Sequence, residues 1–350
     1  MSAADQLLRL TNHLQMQKKQ GRDSVILFTD IRKAYDRVYR KAVIVKMYRR
    51  GLGGKVLRII DRLLQNTVCR VVLKSHISKE YRPEEGVAQG GILSCLIWNI
   101  LFASLPVRND ENVFYAAFAD DLAIVVSHDD KRIAYREMTS IYGEIRTWTR
   151  HNRIEFNDDK VKCMYVAGDG RTKAKRKKRH RAVQAFVPKV LYWSIKDGMI
   201  REVEQVTQYK YLGAIIDSRL SFEAWVRKIA AEVRRRVKFV KRVAGTMKIG
   251  RELIEKLYEA YVRGYVNYGI LIWGSRKNRV KVEAADRDGL RLCAGVLPGT
   301  SNDELDARIN TGLPSRKTQK NQNTICQADV RKKASRDAGY DEPCICWPSW

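Results

Sequence analysis

The sequence predicts an α+β fold, and three observations predict it. Short apolar runs of strand length, such as "SVILFTDI" at 24–31, stand apart from longer segments whose apolar residues recur at helical spacing. Within "FYAAFADDLAIVV" (114–126), two apolar runs flank Asp120 and Asp121, the pattern of a hairpin of antiparallel strands. At 350 residues and 45% hydrophobic content, the chain is long and apolar enough for two or three domains with a substantial core.

The elements follow in order. Residues 2–20 have helical spacing, with Leu7, Leu8, Leu10, Leu14 and Met16 apolar. After the strand at 24–31, residues 32–51 predict a helix with Ala34, Val38, Ala42 and Val45 on one face and Gly51 as its stop. A second helix is expected over 54–65, a strand over 69–75, a loop over 84–91 and an apolar helix over 92–105. The hairpin comes next, then a helix over 131–150. The run "RTKAKRKKRHR" (171–181) is a basic interruption that reads either as a solvated loop or as a nucleic-acid or nuclear-import segment. Strand character returns at 209–217. Residues 225–245 then form a basic amphipathic helix, with Ile229, Val233, Val237, Val240 and Val243 on one side and Arg234, Arg235, Arg236, Lys238, Lys241 and Arg242 over the rest. Such a face is either simply solvated or follows a duplex backbone.

Charge narrows the partners. Lys and Arg total 67 against 39 Asp and Glu, a net charge of +28. That excess suits a phosphate backbone or an anionic membrane. No apolar run approaches the roughly 18 residues of a membrane span, and the N-terminus lacks signal-peptide order, so nucleic acid is the expected partner and no membrane is expected. The seven cysteines are scattered, which predicts reduced thiols in a chain that is not secreted and works in the nucleus or cytoplasm. Cys344 and Cys346 form a C-x-C with no histidine downstream of His180 to complete a zinc site.

Within this basic chain, Asp120 and Asp121 are an anomaly. Adjacent like charges beside apolar strands repel and raise one another's pKa. Asp30 closes another apolar strand ninety residues earlier. If the two strand units are sheet neighbours, three carboxylates meet at one edge. Divalent cations would relieve that conflict, since Mg²⁺ takes carboxylate oxygens together with substrate phosphates, and two ions about 3.5–4 Å apart clamp the oxygens of a phosphoryl transfer. Taken alone, the pair also reads as an acidic β-turn.

The surrounding residues favour the metal reading. "FTDIRKAYDRV" (28–38), "GVAQGGILSCLIWNI" (86–100) and "FADDLAIV" (118–125) occur in that order. Together with "FNDDKVKCMYV" (156–166) and "YKYLGAIIDSRLSFEAWV" (209–226), they resemble the motifs of non-LTR retrotransposon reverse transcriptases over most of the chain. The resemblance implies a right-hand polymerase palm, an antiparallel sheet with packed helices, followed by a mostly helical thumb. On it, residues 1–23 are a remnant of the fingers and palm, 24–218 the palm, 219–275 the thumb and 276–350 a partly disordered C-terminal extension. The upstream fingers and endonuclease are expected to be missing.

The resemblance also implies roles. Asp30, Asp120 and Asp121 would bind two Mg²⁺ ions, with Mn²⁺ as a substitute. Tyr35 would exclude the 2′-hydroxyl of a ribonucleotide. Gln89 and Gly90 would lie against nucleotide and template, and Lys160 near the triphosphate. Tyr211, Leu212 and Gly213 would grip the primer end, and Arg234, Arg235, Lys238, Lys241 and Arg242 would follow the nucleic-acid backbone. The partners would be an RNA template, a DNA primer and a dNTP. Ala88, Cys95 and Val161 depart from the family pattern, the first two replacing prolines and removing rigid points from the backbone. The expected activity is RNA-directed DNA synthesis. The alternatives are a decayed palm that only binds nucleic acid, and an RNA-dependent RNA polymerase, which Tyr35 disfavours.

Overall fold

A computed structural model describes residues 2–170, 188–194, 197–297, 299–305 and 307. Both the basic run 171–181 and the chain from 308 on, with Cys326, Cys344 and Cys346, lie outside the described residues. So does the expectation of disorder there.

Helix α1 (Ala3–Lys19) opens with a capping box: Ser2 Oγ accepts from the Asp5 amide at 3.2 Å, and Asp5 Oδ2 accepts from the Ser2 amide at 2.8 Å. It leads into β1 (Asp23–Thr29), every residue of which is buried. Helices α2 (Arg40–Arg49) and α3 (Gly54–Gln65) follow, then a two-stranded ribbon of β2 (Val72–Leu73) and β3 (His76–Ile77), and helix α4 (Ile92–Phe102). Strands β4 (Val113–Phe118) and β5 (Asp121–His128) form the predicted hairpin, followed by α5 (Lys131–His151) and β6 (Lys162–Val166). Short strands β7 (Leu191–Trp193), β8 (Ile200–Glu202), β9 (Glu204–Gln205), β10 (Gln208–Tyr211) and β11 (Ala214–Asp217) complete the strands.

The main sheet has the order β4-β5-β1-β6-β9, antiparallel except for the β6–β9 edge. Side chains of β1 alternate between its faces, as the two-residue period requires. Val25 and Leu27, with Ile124 and Val126 of β5, enter a core shared with Trp98 and Leu101 of α4 and Met138, Ile141 and Tyr142 of α5. On the intervening positions of β1, the Phe28 ring stacks on Tyr209 with centroids 4.2 Å apart. Helix α1 packs against β4 and β1.

The helix expected over 32–51 begins only at Arg40. Residues 32–37 form turns, and Lys33 has φ +51°. The cause lies in the carbonyls: those of Tyr35 and Val38 accept from the amides of Val87 and Gly86, at 2.8 and 2.9 Å, rather than all serving a helix ladder. Ala34 and Val38 still point inward, while Val45 is 49% exposed. The strand expected over 69–75 shrinks to the exposed β2–β3 ribbon, with an isolated bridge between Cys69 and Tyr81.

The chain divides into two compact units. Among the described residues, the first runs through Leu212 and takes in Ser218–Leu220; the second comprises Gly213–Asp217 and continues from Ser221. In the second, α6 (Glu223–Met247) is followed by α7 (Arg251–Tyr258), a π-helical turn (Glu259–Arg263), α8 (Gly264–Asn267), α9 (Ile270–Trp273) and α10 (Arg276–Ala294). Asp217 holds the entry to α6, accepting from the amides of Ser221 at 3.1 Å and Phe222 at 2.7 Å. Helix α10 packs along α6, so the unit continues beyond residue 275. Tyr258 Oη and Arg263 Nη1 both donate to the buried Asp286, at 2.5 and 3.3 Å. No described helix is long and apolar enough to cross a membrane, and Cys69, Cys95, Cys163 and Cys293 are free thiols.

Because Leu27 is fully buried at the centre of this sheet, opposite Ile124 on one side and Cys163 on the other, Leu27→Ala is expected to cost about 2–5 kcal/mol, measured as a shift of the denaturant midpoint at unchanged slope.

Candidate active site

Strand pairing brings the distant acids together. The β1–β5 ladder ends at Thr29 opposite Leu122, with Thr29 Oγ1 donating to the Leu122 carbonyl at 3.3 Å. Asp30 follows directly on one strand, and Asp121 is the first residue of the other. Asp120 occupies the turn between β4 and β5, after Ala119 at φ +54°. All three aspartates are half-buried.

Their electrostatics show the convergence. Burial comes first, then the charges of Asp120 and Asp30, and together they push the Asp121 carboxyl up to about 6, partly countered by Lys160. Lys160 Nζ lies 3.2 Å from Asp30 Oδ2. Its turn is anchored to the same residue, because the Asn157 amide donates to the Asp30 carbonyl at 2.8 Å. Tyr209 Oη donates to the Lys160 carbonyl at 3.3 Å, and burial with the charges of Asp121 and Asp30 pushes its phenol up to about 12.

Tyr35 stands on the Asp120 side. Burial first, then its contact with Cys95 and the charge of Asp120, push its phenol up to about 12. Its hydroxyl donates to Cys95 Sγ at 3.6 Å, and its ring stacks on Trp98 with centroids 6.0 Å apart. Trp98 Nε1 donates to the Ala119 carbonyl at 2.9 Å. One buried indole therefore touches both the tyrosine and the turn that carries Asp120. Trp98 was not singled out from sequence, since a tryptophan in an apolar helix reads as core.

The remaining candidates divide. Gln89 is exposed and donates from Nε2 to Asp36 Oδ1 at 3.1 Å, beside a cleft of about 620 Å³ shared with Arg40 and Tyr81. Gly90 has φ +87° and open space where a Cβ would stand, so the backbone angle rather than close contact calls for glycine. Gly86 is the tighter position: at φ +86°, a Cβ would lie 2.6 Å from the Asp36 carbonyl oxygen. Tyr211 is buried beneath the hairpin, its hydroxyl donating to the Ala116 carbonyl at 2.9 Å, so its side chain braces β4 instead of facing outward. Leu212 and Gly213 form a turn with φ +46° and +81°. Arg234, Arg235, Lys238, Lys241 and Arg242 are all exposed on α6, and Arg235 is held by Glu232 at 2.6 Å.

The family model for reverse transcriptase (RNA-dependent DNA polymerase) matches residues 2–216. The chain belongs to the reverse transcriptase family. Its main sheet with the aspartates at one end is the palm of this fold, and the matched region ends before the helices of the second unit. The chain is 22% identical over 289 residues to the RNA-directed DNA polymerase from mobile element jockey of Drosophila melanogaster, covering 79% of this reverse transcriptase and 29% of the relative. It is 21% identical over 222 residues to the Pol polyprotein from type-1 retrotransposable element R2 of Nasonia vitripennis, covering 61% and 21%. Apo telomerase from Candida tropicalis superposes with a TM-score of 0.41 at 11% identity, over 87% of this chain and 56% of that one. The chain spans about 30% of the length of the Drosophila jockey and BS relatives.

Reverse transcriptases generally use divalent metals. The charge here suits a cation, since Asp121 carries repulsion from two neighbouring carboxylates that Lys160 only partly relieves. The shape is less ready: among the described residues, no three His, Cys, Asp or Glu side chains are gathered tightly enough to hold an ion. Lys160 is the cation at Asp30.

An aspartate whose pKa rises on folding binds its proton more tightly folded than unfolded. The contribution of Asp121 to stability in metal-free buffer therefore falls as pH rises from about 4 through about 6, then levels. Asp121→Asn is expected to raise the melting temperature at pH 8 and to change it little at pH 4, in thermal melts with chelator; a pH-independent difference would refute the charge conflict.

Proposed function

We propose that this chain is the polymerase core of a retrotransposon enzyme that extends a DNA primer on an RNA template with deoxynucleotides. The observation that carries the reading is the meeting of Asp30 and Asp121 at the end of the β1–β5 ladder, with the Asp121 carboxyl forced up by burial first and then by the charges of Asp120 and Asp30. A scaffold that only bound nucleic acid would have no use for three mutually repelling acids in a chain of net charge +28.

The residues divide the work. Asp30, Asp120 and Asp121 would hold two Mg²⁺ ions, or Mn²⁺ in their place, once drawn closer than they stand here. When bound, the ions neutralise the phosphates and stabilise the charge that develops as the primer 3′-hydroxyl attacks the α-phosphate and pyrophosphate leaves. Lys160 leaves Asp30 for the triphosphate and carries a proton for the departing pyrophosphate. Tyr35, backed by Trp98, closes the space a ribose 2′-hydroxyl would need. Gln89, beside Asp36, faces the templated base. Tyr211 braces the β4–β5 hairpin through Ala116, while the Leu212–Gly213 turn meets the primer.

Primer extension with purified chain, RNA template, DNA primer, dNTPs and Mg²⁺ tests this. Wild type is expected to extend, and Asp120→Ala/Asp121→Ala to lose at least about a hundredfold in rate while still binding duplex. Equal extension by both would remove the acids from the chemistry, and binding without extension by either would leave a palm that only binds.

In the same assay, Tyr35→Ala is expected to admit ribonucleotides. Unchanged sugar selectivity would remove Tyr35 from that role, and a wild-type preference for ribonucleotides would make the enzyme an RNA polymerase.

A further inference from the structure

Phe239 is anomalous on α6. It is 48% exposed in the middle of a helix that carries eight Lys and Arg against two Glu. Arg235 stands one turn before it and Arg242 one turn after, on the same face, with Lys238 beside it and Arg234 and Lys241 further round. Arg234, Lys238, Lys241 and Arg242 have no acidic partner among the described residues. A lone exposed apolar side chain needs no explanation. This one is backed by a built layer of rings and a guanidinium.

Beneath Phe239 lies Tyr261, with ring centroids 5.4 Å apart. The Arg236 guanidinium sits over Tyr261 at 4.7 Å and over Tyr265 at 4.4 Å. Arg236 is fixed at both ends: Nη1 donates to the Tyr261 carbonyl at 2.6 Å, and Nε to Glu232 at 2.9 Å. Tyr261 belongs to the π-helical turn Glu259–Arg263. Such turns interrupt the regular hydrogen-bond ladder and are frequent at functional sites. Here the turn presents a carbonyl to Arg236 and so fixes the platform. The result is an exposed ring on a rigid base, ringed by cations, the arrangement by which proteins bind unpaired nucleobases through stacking and their phosphates through charge.

We propose that this face of α6 is a binding site for single-stranded nucleic acid, with a nucleobase stacked on Phe239 and the flanking phosphates held by Lys238 and Arg242. The site lies wholly within the second unit and does not rest on the polymerase reading. Bare backbone following would need only the cations; the aromatic adds a requirement for bases.

The experiment measures binding of the full chain to a labelled short oligothymidylate and to an abasic strand of equal length, by fluorescence anisotropy across a salt series. Wild type is expected to bind the base-bearing strand about tenfold more tightly than the abasic one. Phe239→Leu keeps an apolar contact with Tyr261 but no stacking face; it is expected to bring the two strands to within about twofold with an unchanged salt slope. Phe239→Trp is expected to retain the preference. Lys238→Gln/Arg242→Gln is expected to weaken both strands alike and to flatten the salt dependence. Asp120→Ala/Asp121→Ala is expected to leave the preference intact, which separates this site from the polymerase centre. Equal wild-type binding of both strands, an undiminished preference in Phe239→Leu, or loss of the preference in the aspartate variant would each overturn the assignment.

Discussion

Seven residues of β1 pair with seven of β5, and that ladder is the constraint on which the site depends. It stops at Thr29 opposite Leu122, so that Asp30 and Asp121 emerge together at its end. The opposition of their charges is met by the apolar ladder behind them. Val25, Ile26, Leu27 and Phe28, with Leu122 through Val126, are at most 1% exposed. A one-residue slip of register would turn each of these side chains to the other face and separate core from core, at a cost far above the repulsion between a few half-buried carboxylates. The sheet thus tolerates local repulsion at its edge because its register cannot relax without losing both faces.

Helix α4 transmits that rigidity sideways. The Trp98 indole donates to the carbonyl of Ala119, a residue in the left-handed region, and its ring backs Tyr35. The angle of the acidic turn and the position of the tyrosine therefore share one buried support. Cys95, three residues earlier on the same helix, accepts from the Tyr35 hydroxyl. A proline at that position, as the family pattern has it, offers no side-chain acceptor. The departure at Cys95 therefore exchanges a rigid backbone point for a hydrogen bond that orients the tyrosine.

Much of this was legible in the sequence. The apolar runs became strands, β1 buried throughout, β5 buried except at its ends and β4 buried only at its centre, and the spacing that announced α5 and α6 corresponds to continuous helices. The aspartates could be joined across ninety residues because each ends or interrupts an apolar run. What failed did so for identifiable reasons. Ala34 and Val38 fit a helical face, but a turn closed by Gly86 and Val87 buries the same two residues. Gly86 permits this through its positive φ and its approach to Asp36, and neither is visible in a pattern of apolar residues. Two further placements are invisible in the pattern and leave the expected roles as they stand: strand alternation turns the Tyr211 side chain inward beneath the hairpin, and the exposed Arg235 meets Glu232 one turn earlier on the helix. Trp98 gave no signal because an apolar helix announces neither its indole N–H bond to Ala119 nor its ring contact with Tyr35.

On the proposed reading, the charge of the palm site would set an order of binding. Three carboxylates beside one ammonium leave two net negative charges at a half-buried site. A triphosphate would bring several more and be repelled, however strongly the rest of a basic chain attracts nucleic acid at long range. Lys160 could not serve both anions at once: its place at Asp30 is needed while that carboxylate is otherwise unneutralised, and the proposed role at the triphosphate needs it free. Added positive charge at the aspartates would meet both demands, since it would relieve Asp121, release Lys160 and make the site attractive to phosphate. Nucleotide and cation binding would then be coupled by electrostatics, each strengthening the other by the same factor.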